Sequence, residues 1–267
     1  MSDQSESYRV YIYGHTSFLA HSLIQTFEKT NIECFKLQKD FDFNSSLDYS
    51  KKNPNTRNIL VSMAWTSNRF DDYQMSEQNI SWISHSLRMA EWCQRQNYEL
   101  MIPGSCLEYS DHAQSNYVVA KRELYSELSG RNYDITYYWP RIFYAFSVKF
   151  KRPRILRSAL MAKESNEEFE LKLPEEKHDY IEVSDVAQQL KSILDLKKSG
   201  TWDVGTGLLH SNKELMLGLG VRITNASNLD KIDKTFPLSD SWNQPARRMF
   251  EKQASHISST LEFFSRI

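Results

Sequence analysis

Between Arg9 and Arg141, short β-rich runs alternate with amphipathic helical runs. That order limits the fold more than any other property of the chain. Arg9 to Tyr13 (RVYIY) meets Gly14 and gives way to a helical pattern carrying Phe18, Leu19, Leu23, Ile24 and Phe27. Ile32 to Leu37 (IECFKL) reads as a second strand, followed by Asp40 to Asn44 and a polar helix. Asn58 to Met63 (NILVSM) and Glu99 to Ile102 read as the next strands, with a helix from Ser76 to Gln94 between them. A helix opening at Tyr117 and a strand from Asp134 to Arg141 (DITYYWPR) continue the series. Alternation of this kind predicts an α/β fold, a doubly wound Rossmann-type parallel sheet covered on both faces. Right-handed crossovers then place the strand ends at Gly14, Ala64 and Ser105 along one cleft.

Beyond Arg141 the rhythm is lost. Residues 145–177 carry a basic run, Lys149 to Arg157 (KFKRPRILR), and an acidic run, Glu164 to Glu170, and read as part of a small irregular cap. His178 to Val183 (HDYIEV) leads to Ser184-Asp185, a good N-cap for a helix from Val186 to Leu196. Thr201 to Val204 is a short strand, and the tail holds two helical patterns, Asn212 to Leu219 and Arg247 to Phe264. The expected organisation is a dinucleotide-binding domain over 1–144, to which 178–206 returns, and a small interleaved substrate-binding region over 145–267.

Composition narrows the partners. With 40% apolar and 25% charged residues the chain is globular, and 267 residues allow one large or two small domains. A net charge of −1 gives no reason to expect nucleic acid or an anionic membrane. The basic run then reads as a solvated loop. Cys34, Cys93 and Cys106 match neither a disulfide framework nor a zinc site, which suits a reducing compartment. No two histidines have metal-ligand spacing with a carboxylate, so no metal is expected. His15 reads as a solvated turn residue, while His178 and His210 fall on the cap side. The polar start MSDQSESYR is not a signal peptide, and no apolar run approaches the ~18 residues of a membrane span. A cytoplasmic protein is the expectation.

The chemistry concentrates in Ile102 to Glu127, IPGSCLEYSDHAQSNYVVAKRELYSE. Ser105 sits just past a strand that stops at Pro103-Gly104. Tyr117 and Lys121 lie four residues apart, which puts phenol and ammonium on one helix face. The lysine charge favours phenolate, and the serine can hold a carbonyl or alcohol oxygen beside the phenol. Alone, such a pair is an ordinary feature of helix surfaces, and its meaning depends on a cofactor site elsewhere. The dinucleotide fingerprint wants glycines at 14, 17 and 20, where this chain has Gly14, Ser17 and Ala20. Ala20 is a mild change. Ser17 places a Cβ where backbone should approach phosphate, although its hydroxyl can donate to that phosphate. At the end of the second strand stands Gln38, flanked by Lys36 and Lys39, in place of the acid that holds a ribose 2′-hydroxyl. Cations there suit a 2′-phosphate, hence NADP(H) in preference to NAD(H); the alternative is a solvated pair of lysines. Ala64-Trp65 ends the third strand and opens a cofactor-side loop, Thr66 to Tyr73.

These residues resemble a known family, the extended short-chain dehydrogenase/reductases, the NAD(P)-dependent epimerase/dehydratase group acting on nucleotide sugars. The resemblance runs from about Arg9 to Leu215. YIYGHTSFLA (11–20) looks like a degenerate glycine-rich turn, Ser105 to Tyr109 like the Ser-x-x-x-Tyr segment, and YVVAK (117–121) like Tyr-x-x-x-Lys. WPRIFYAF (139–146), with Pro140 and Arg141, resembles the segment closing the cofactor site. HDYIEVSDVA (178–187) and WDVGTG (202–207) resemble two later motifs, and Asn79 falls where the family has an asparagine on the helix facing the active site. The resemblance implies that Tyr117 is the proton donor or acceptor, that Lys121 binds the nicotinamide ribose, and that Ser105 holds the substrate oxygen. It places Gly14, Ser17 and Phe18 under the pyrophosphate. It also implies a homodimer through the helix containing Trp82 to Cys93 and the helix beginning near Asn116.

Dehydratases of this family carry an Asp-Glu pair directly after the catalytic Ser/Thr. Here Cys106 and Leu107 stand there, while Glu108 comes one residue late and on a strand-like segment points the other way. The pattern looks most like reductases of 4-keto-6-deoxy nucleotide sugars. The alternatives are a nucleotide-sugar epimerase with tightly bound NAD and a catalytically degenerate binding subunit.

Overall fold

The computed structural model describes residues 8–45, 56–65, 74–109, 115–131 and 133–225. The first elements are β1 (Tyr8–Tyr13), α1 (Phe18–Lys29), β2 (Glu33–Leu37), β3 (Arg57–Ser62), α2 (Gln78–Gln96) and β4 (Glu99–Met101). Next come β5 (Gly104–Ser105), a 3-10 turn (Cys106–Tyr109), α3 (Asn116–Gly130), β6 (Tyr137–Ile142), β7 (Tyr144–Phe146), α4 (Arg154–Glu164) and β8 (Phe169–Leu171). The last are β9 (Lys177–His178), β10 (Tyr180–Glu182), α5 (Val183–Leu196), β11 (Gly200–Val204), β12 (His210–Ser211), α6 (Asn212–Gly218) and β13 (Ile223–Asn225). The strand order in the main sheet is β11-β6-β4-β3-β1-β2, with β5 paired to β6. Pairs β1–β2, β1–β3, β3–β4 and β4–β6 are parallel, so the doubly wound parallel α/β sheet is present. Strand order reverses across β1, between β2 and β3, and that switch point lies beside Gly14.

Alternation along β1 sends its side chains to two covered faces. Tyr11 and Tyr13, with Leu60, Leu100 and Trp139, pack against Ile83, Met89 and Trp92 of α2 and Ala120, Leu124 and Leu128 of α3. Tyr8 takes the other face with Val10 and Ile12. Its ring meets Phe27 of α1 edge-on at 6.5 Å, and its hydroxyl donates to Asp195 of α5 at 2.8 Å. Each fully buried aliphatic or phenyl side chain contributes roughly 1.5–3 kcal/mol, so these two layers carry the sheet. At the sheet's N-terminal edge, Arg57 grips both Glu99 carboxylate oxygens at 2.6 Å and reaches the Tyr138 hydroxyl at 3.0 Å, clipping β3, β4 and β6 together.

The described chain divides into two compact units. The first takes 115–141 and 187–202 together with the described residues up to 108, and the second takes Tyr109, 142–186 and 203–225. The segment 178–186, expected to return to the sheet, instead belongs to the second unit, because β10 pairs with β7. The expectation of an irregular region over 145–177 is also corrected. The end of the basic run lies in α4, whose Leu156, Ala159 and Leu160 join Phe146, Leu171, Tyr180, Leu215, Met216 and Val221 in a core of their own. α5 begins three residues before the expected Val186. The Glu182 carboxylate accepts the Ser184 amide at 2.5 Å and the Ser184 hydroxyl, doing the capping expected of Ser184-Asp185. The polar helix after Asn44, the loop Thr66 to Tyr73, most of the turn Ser110 to Asn116 and the helix Arg247 to Phe264 lie outside the described residues.

Candidate functional site

The site builds up from the end of β1. Gly14 has φ of +80°, and a Cβ there would stand 2.4 Å from the Ala64 amide nitrogen. Both the dihedral and the closeness of the β3 end therefore require glycine. Ser17 caps α1. Its Oγ accepts from the Ala20 amide at 3.1 Å, and its own amide donates to the Gly14 carbonyl at 3.2 Å. The His21 amide closes onto the Ser17 carbonyl at 3.0 Å, so the amides of Phe18 and Leu19 are the ones directed out of the helix start. Capping uses a lone pair of Ser17 and leaves its O–H to donate. A helix start with outward amides and a free hydroxyl can receive an anion, and here it is built with one glycine rather than three. His15 is not a merely solvated turn residue, since its Nδ1 lies 3.1 Å from the Leu37 carbonyl and ties the turn to the end of β2. Gln38 and Lys39 are exposed there, and the Lys39 carbonyl accepts the Tyr13 hydroxyl at 2.9 Å.

The second half of the site forms where β4 ends and α3 begins. Ser115 caps α3 through Oγ to the Val118 amide at 3.3 Å, and the Tyr117 amide donates to the Gln74 carbonyl at 2.8 Å. One turn on, Lys121 runs inward and is only 3% exposed. Its Nζ donates to the Pro103 carbonyl at 2.7 Å, two residues before Ser105. The same ammonium stands 3.4 Å from the centre of the Trp65 ring and 5.8 Å from that of Tyr117. Burial pushes the lysine down to about 7, and the negative charge of Glu108 opposes that shift. Ser105 is buried, and its Oγ accepts from the Leu107 amide at 3.2 Å.

Trp65 and Asn79 are bound to each other. The Trp65 indole donates to Asn79 Oδ1 at 2.9 Å, stacks on Trp82 at 5.7 Å and meets Tyr117 edge-on at 6.1 Å. Asn79 is fully buried, and its amide donates to the Ser76 carbonyl at 3.0 Å. The asparagine thus fixes the tryptophan that lies over Lys121. Pro140 is buried within β6. Arg141 turns to Glu108 at 3.0 Å and to the Tyr125 ring at 5.4 Å.

Glu108 corrects the sequence reading. Its segment is a 3-10 turn and not strand-like, so the carboxylate folds back beneath Ser105. Oε1 accepts the Ser105 amide at 2.6 Å, and Oε2 accepts the Trp139 indole and the Arg141 Nε, each at 3.0 Å. A Cβ on Gly104 would stand 2.4 Å from Trp139 Nε1 and 2.5 Å from Glu108 Oε1, so glycine is what admits the carboxylate. The signal available in the sequence was the glycine directly before Ser105.

In the second unit, two of the recognised motifs are bound to each other. Asp179 of HDYIEV accepts the Thr206 amide and the Gly207 amide of WDVGTG, each at 2.8 Å. Asp203 accepts the Tyr109 hydroxyl at 2.6 Å. His178 and His210 face each other across the β9–β12 pair, and His178 stacks on Tyr144 at 3.9 Å. Among the described residues, no group of three or more His, Cys, Asp or Glu side chains is placed to hold a metal ion, and no helix is long and apolar enough to cross a membrane.

No family model matches the chain. No curated protein matches it either. Solved structures do. The UDP-glucose 4-epimerase of Thermus thermophilus, in complex with NAD, superposes with a TM-score of 0.63 at 13% identity, over 96% of this chain and 99% of that one. The Thermotoga maritima UDP-glucose 4-epimerase, with UDP-glucose, gives 0.65 at 14% identity over 97% and 99%. A dTDP-4-dehydrorhamnose reductase from Clostridium acetobutylicum gives 0.60 at 15% identity over 90% and 87%. The chain shares the fold of these two epimerases and of the reductase, as the resemblance read from the motifs led one to expect.

Proposed function

We propose that the protein is a nicotinamide-dependent enzyme of nucleotide-linked sugars. Within that class we read it as a reductase of a keto group on a (6-deoxy) hexose, using NADP(H) in preference to NAD(H), in surface-glycan or deoxysugar biosynthesis. The observation that carries the reading is the buried Lys121 ammonium, held beside Tyr117 and on the carbonyl two residues before Ser105. An interior lysine is costly to keep unless its charge has work to do.

The residues present fit a dinucleotide. The Phe18 and Leu19 amides and the Ser17 hydroxyl suit a pyrophosphate beside Gly14, and exposed Gln38 and Lys39 suit a 2′-phosphate. Lys121 would hold the nicotinamide ribose. When bound, the nicotinamide supplies the hydride. The chain does the rest: Ser105 holds the substrate oxygen, Tyr117 gives that oxygen its proton, and the Lys121 charge stabilises the phenolate left behind. The first unit is then the dinucleotide-binding part and the second the substrate-binding part, working as a cytoplasmic homodimer. The reductase and epimerase neighbours support the class of substrate.

One observation favours a second reading, a binding subunit without catalysis: the Trp65 ring lies over the lysine that a ribose would need. Calorimetry with NADP and NAD separates the two, and NADPH absorbance with 4-keto nucleotide sugars tests the reaction. Binding of NADP more tightly than NAD is expected, with NADPH consumed only when a ketosugar is present. Tyr117→Phe should lower kcat by roughly 10²–10⁴-fold with little change in NADP affinity. Silence with both dinucleotides would favour the binding subunit. Sugar interconversion without net NADPH loss would favour an epimerase.

A further inference from the structure

Glu108 is a buried carboxylate that the reaction scheme above leaves unused. The groups that reach its two oxygens are all donors: the Ser105 amide, the Trp139 indole and the Arg141 guanidinium. An ionised carboxylate accepts from all of them, whereas a glutamine would set an N–H₂ against one. The same residue's carbonyl accepts Arg122 Nε at 3.0 Å and Nη2 at 2.8 Å, so the turn is bound to α3 as well as to β6. Lys121 is anchored on the Pro103 carbonyl, immediately before Gly104. The carboxylate and the ammonium therefore both bind the Pro103-Gly104-Ser105 backbone.

We propose that Glu108 is a positioning residue. It fixes the backbone of Ser105, and it sets a negative charge on the same Pro103-Gly104-Ser105 stretch that the Lys121 ammonium binds. The proposal rests on the reading of Ser105, Tyr117 and Lys121 as the reacting set, and its first test needs no cofactor. Several groups act on Lys121. Tyr117 shares its helix, with its ring centre 5.8 Å from the ammonium, and Glu108 comes from the 3-10 turn and attracts it; Arg122 of α3 and Arg141 of β6 are themselves bound to Glu108, and the Trp65 and Trp139 rings around the ammonium carry no charge. Glu108 is the one anion acting on it among the described residues.

The experiment is an NMR titration of lysine side chains labelled with ¹³C at Cε, in wild type, Glu108→Gln and Glu108→Asp, with Lys121→Arg to assign the signal. In Glu108→Gln the Lys121 midpoint should fall, its proton dissociation constant rising at least threefold. In Glu108→Asp the charge remains but the carboxylate retracts. The midpoint should then stay within a factor of two in that constant, while the Ser105 amide exchanges at least tenfold faster. Where turnover is measurable, the alkaline limb of kcat should move down in Glu108→Gln by the amount the NMR midpoint moves. A folded Glu108→Gln with an unmoved midpoint overturns the electrostatic role. If that variant does not fold, an unchanged Ser105 exchange rate in Glu108→Asp overturns the positioning role. A moved midpoint in a protein that turns over no ketosugar keeps the Glu108–Lys121 coupling and defeats the reductase reading instead.

Discussion

At the scale of the residue, Lys121 sets up a stability that depends on pH in an uncommon direction. Burial lowers its pKa from 10.5 to about 7, with Glu108 opposing. In the window between those values the unfolded chain holds a proton that the folded chain does not. Stability therefore rises with pH across that window, and the full penalty, on the order of a few kcal/mol, is present below it. Lys121→Met removes the titration while filling much of the same volume. The stability of wild type relative to Lys121→Met should be flat below about pH 6 and should improve from there towards about pH 10. Urea unfolding at a series of pH values reads this directly, and a difference that stays constant throughout would mean the amine is not buried as described. The spacing of Tyr117 and Lys121 was readable because a helix makes four residues one turn. Trp65 over the ammonium and Glu108 beneath Ser105 were not, because the ring reaches the lysine, and the carboxylate acts on it, from segments that no local period links to it. The direction of Glu108 depends in addition on a 3-10 turn that no apolar period announces.

At the scale of the element, the turn from β1 to α1 shows how a degenerate motif keeps its geometry. Ser17 gives up the bare backbone of a glycine and gains a cap on the Ala20 amide. Ser17→Ala loses that cap and should cost about 1 kcal/mol, whereas Ser17→Gly should cost only a few tenths. On the dinucleotide reading the two variants also part in affinity. Glycine frees the approach to the pyrophosphate and should tighten NADP several-fold, while alanine keeps the obstructing Cβ without the donating hydroxyl and should loosen it. Chemical denaturation and calorimetry on the pair give both quantities, and weaker NADP binding in Ser17→Gly than in wild type would show that the serine hydroxyl matters more than the space. The long elements were legible for the reason this turn was: β1, α1, α2 and α3 each carry enough residues to display a period of two or of 3.6. β8, β9, β10, β12 and β13 have two or three residues each, too few to show any period. α4 was hidden because it carries the end of the basic run, which reads as loop until Leu156, Ala159 and Leu160 are seen on one side.

At the scale of the whole molecule, the residues proposed to hold the dinucleotide all fall within one compact unit. Gly14, Ser17, Phe18, Gln38, Lys39, Ala64, Trp65, Tyr117 and Lys121 belong to the first unit, as do Asn79, Pro140 and Arg141. The second unit contains the paired motifs around Asp179 and the facing His178 and His210. A ligand that binds only the folded form stabilises it by RT ln(1 + [L]/Kd), about 2.7 kcal/mol at a hundred times Kd. For a chain of this size that corresponds to a rise in Tm of roughly 5–10 °C. Scanning calorimetry with saturating NADP should therefore raise the transition that includes the first unit by that amount, and NAD at the same concentration should raise it less. Lys121→Met should keep the larger part of the rise, since the pyrophosphate and 2′-phosphate contacts lie with Ser17, Gln38 and Lys39, while Gln38→Asp should reverse the order of the two dinucleotides. If the units unfold separately, a transition belonging to the second should stay in place with NADP and move only when a nucleotide sugar is added. A scan in which neither dinucleotide moves any transition would leave the sheet, the glycine turn and the buried lysine as a fold without its cofactor, and the enzymatic reading would fail with it.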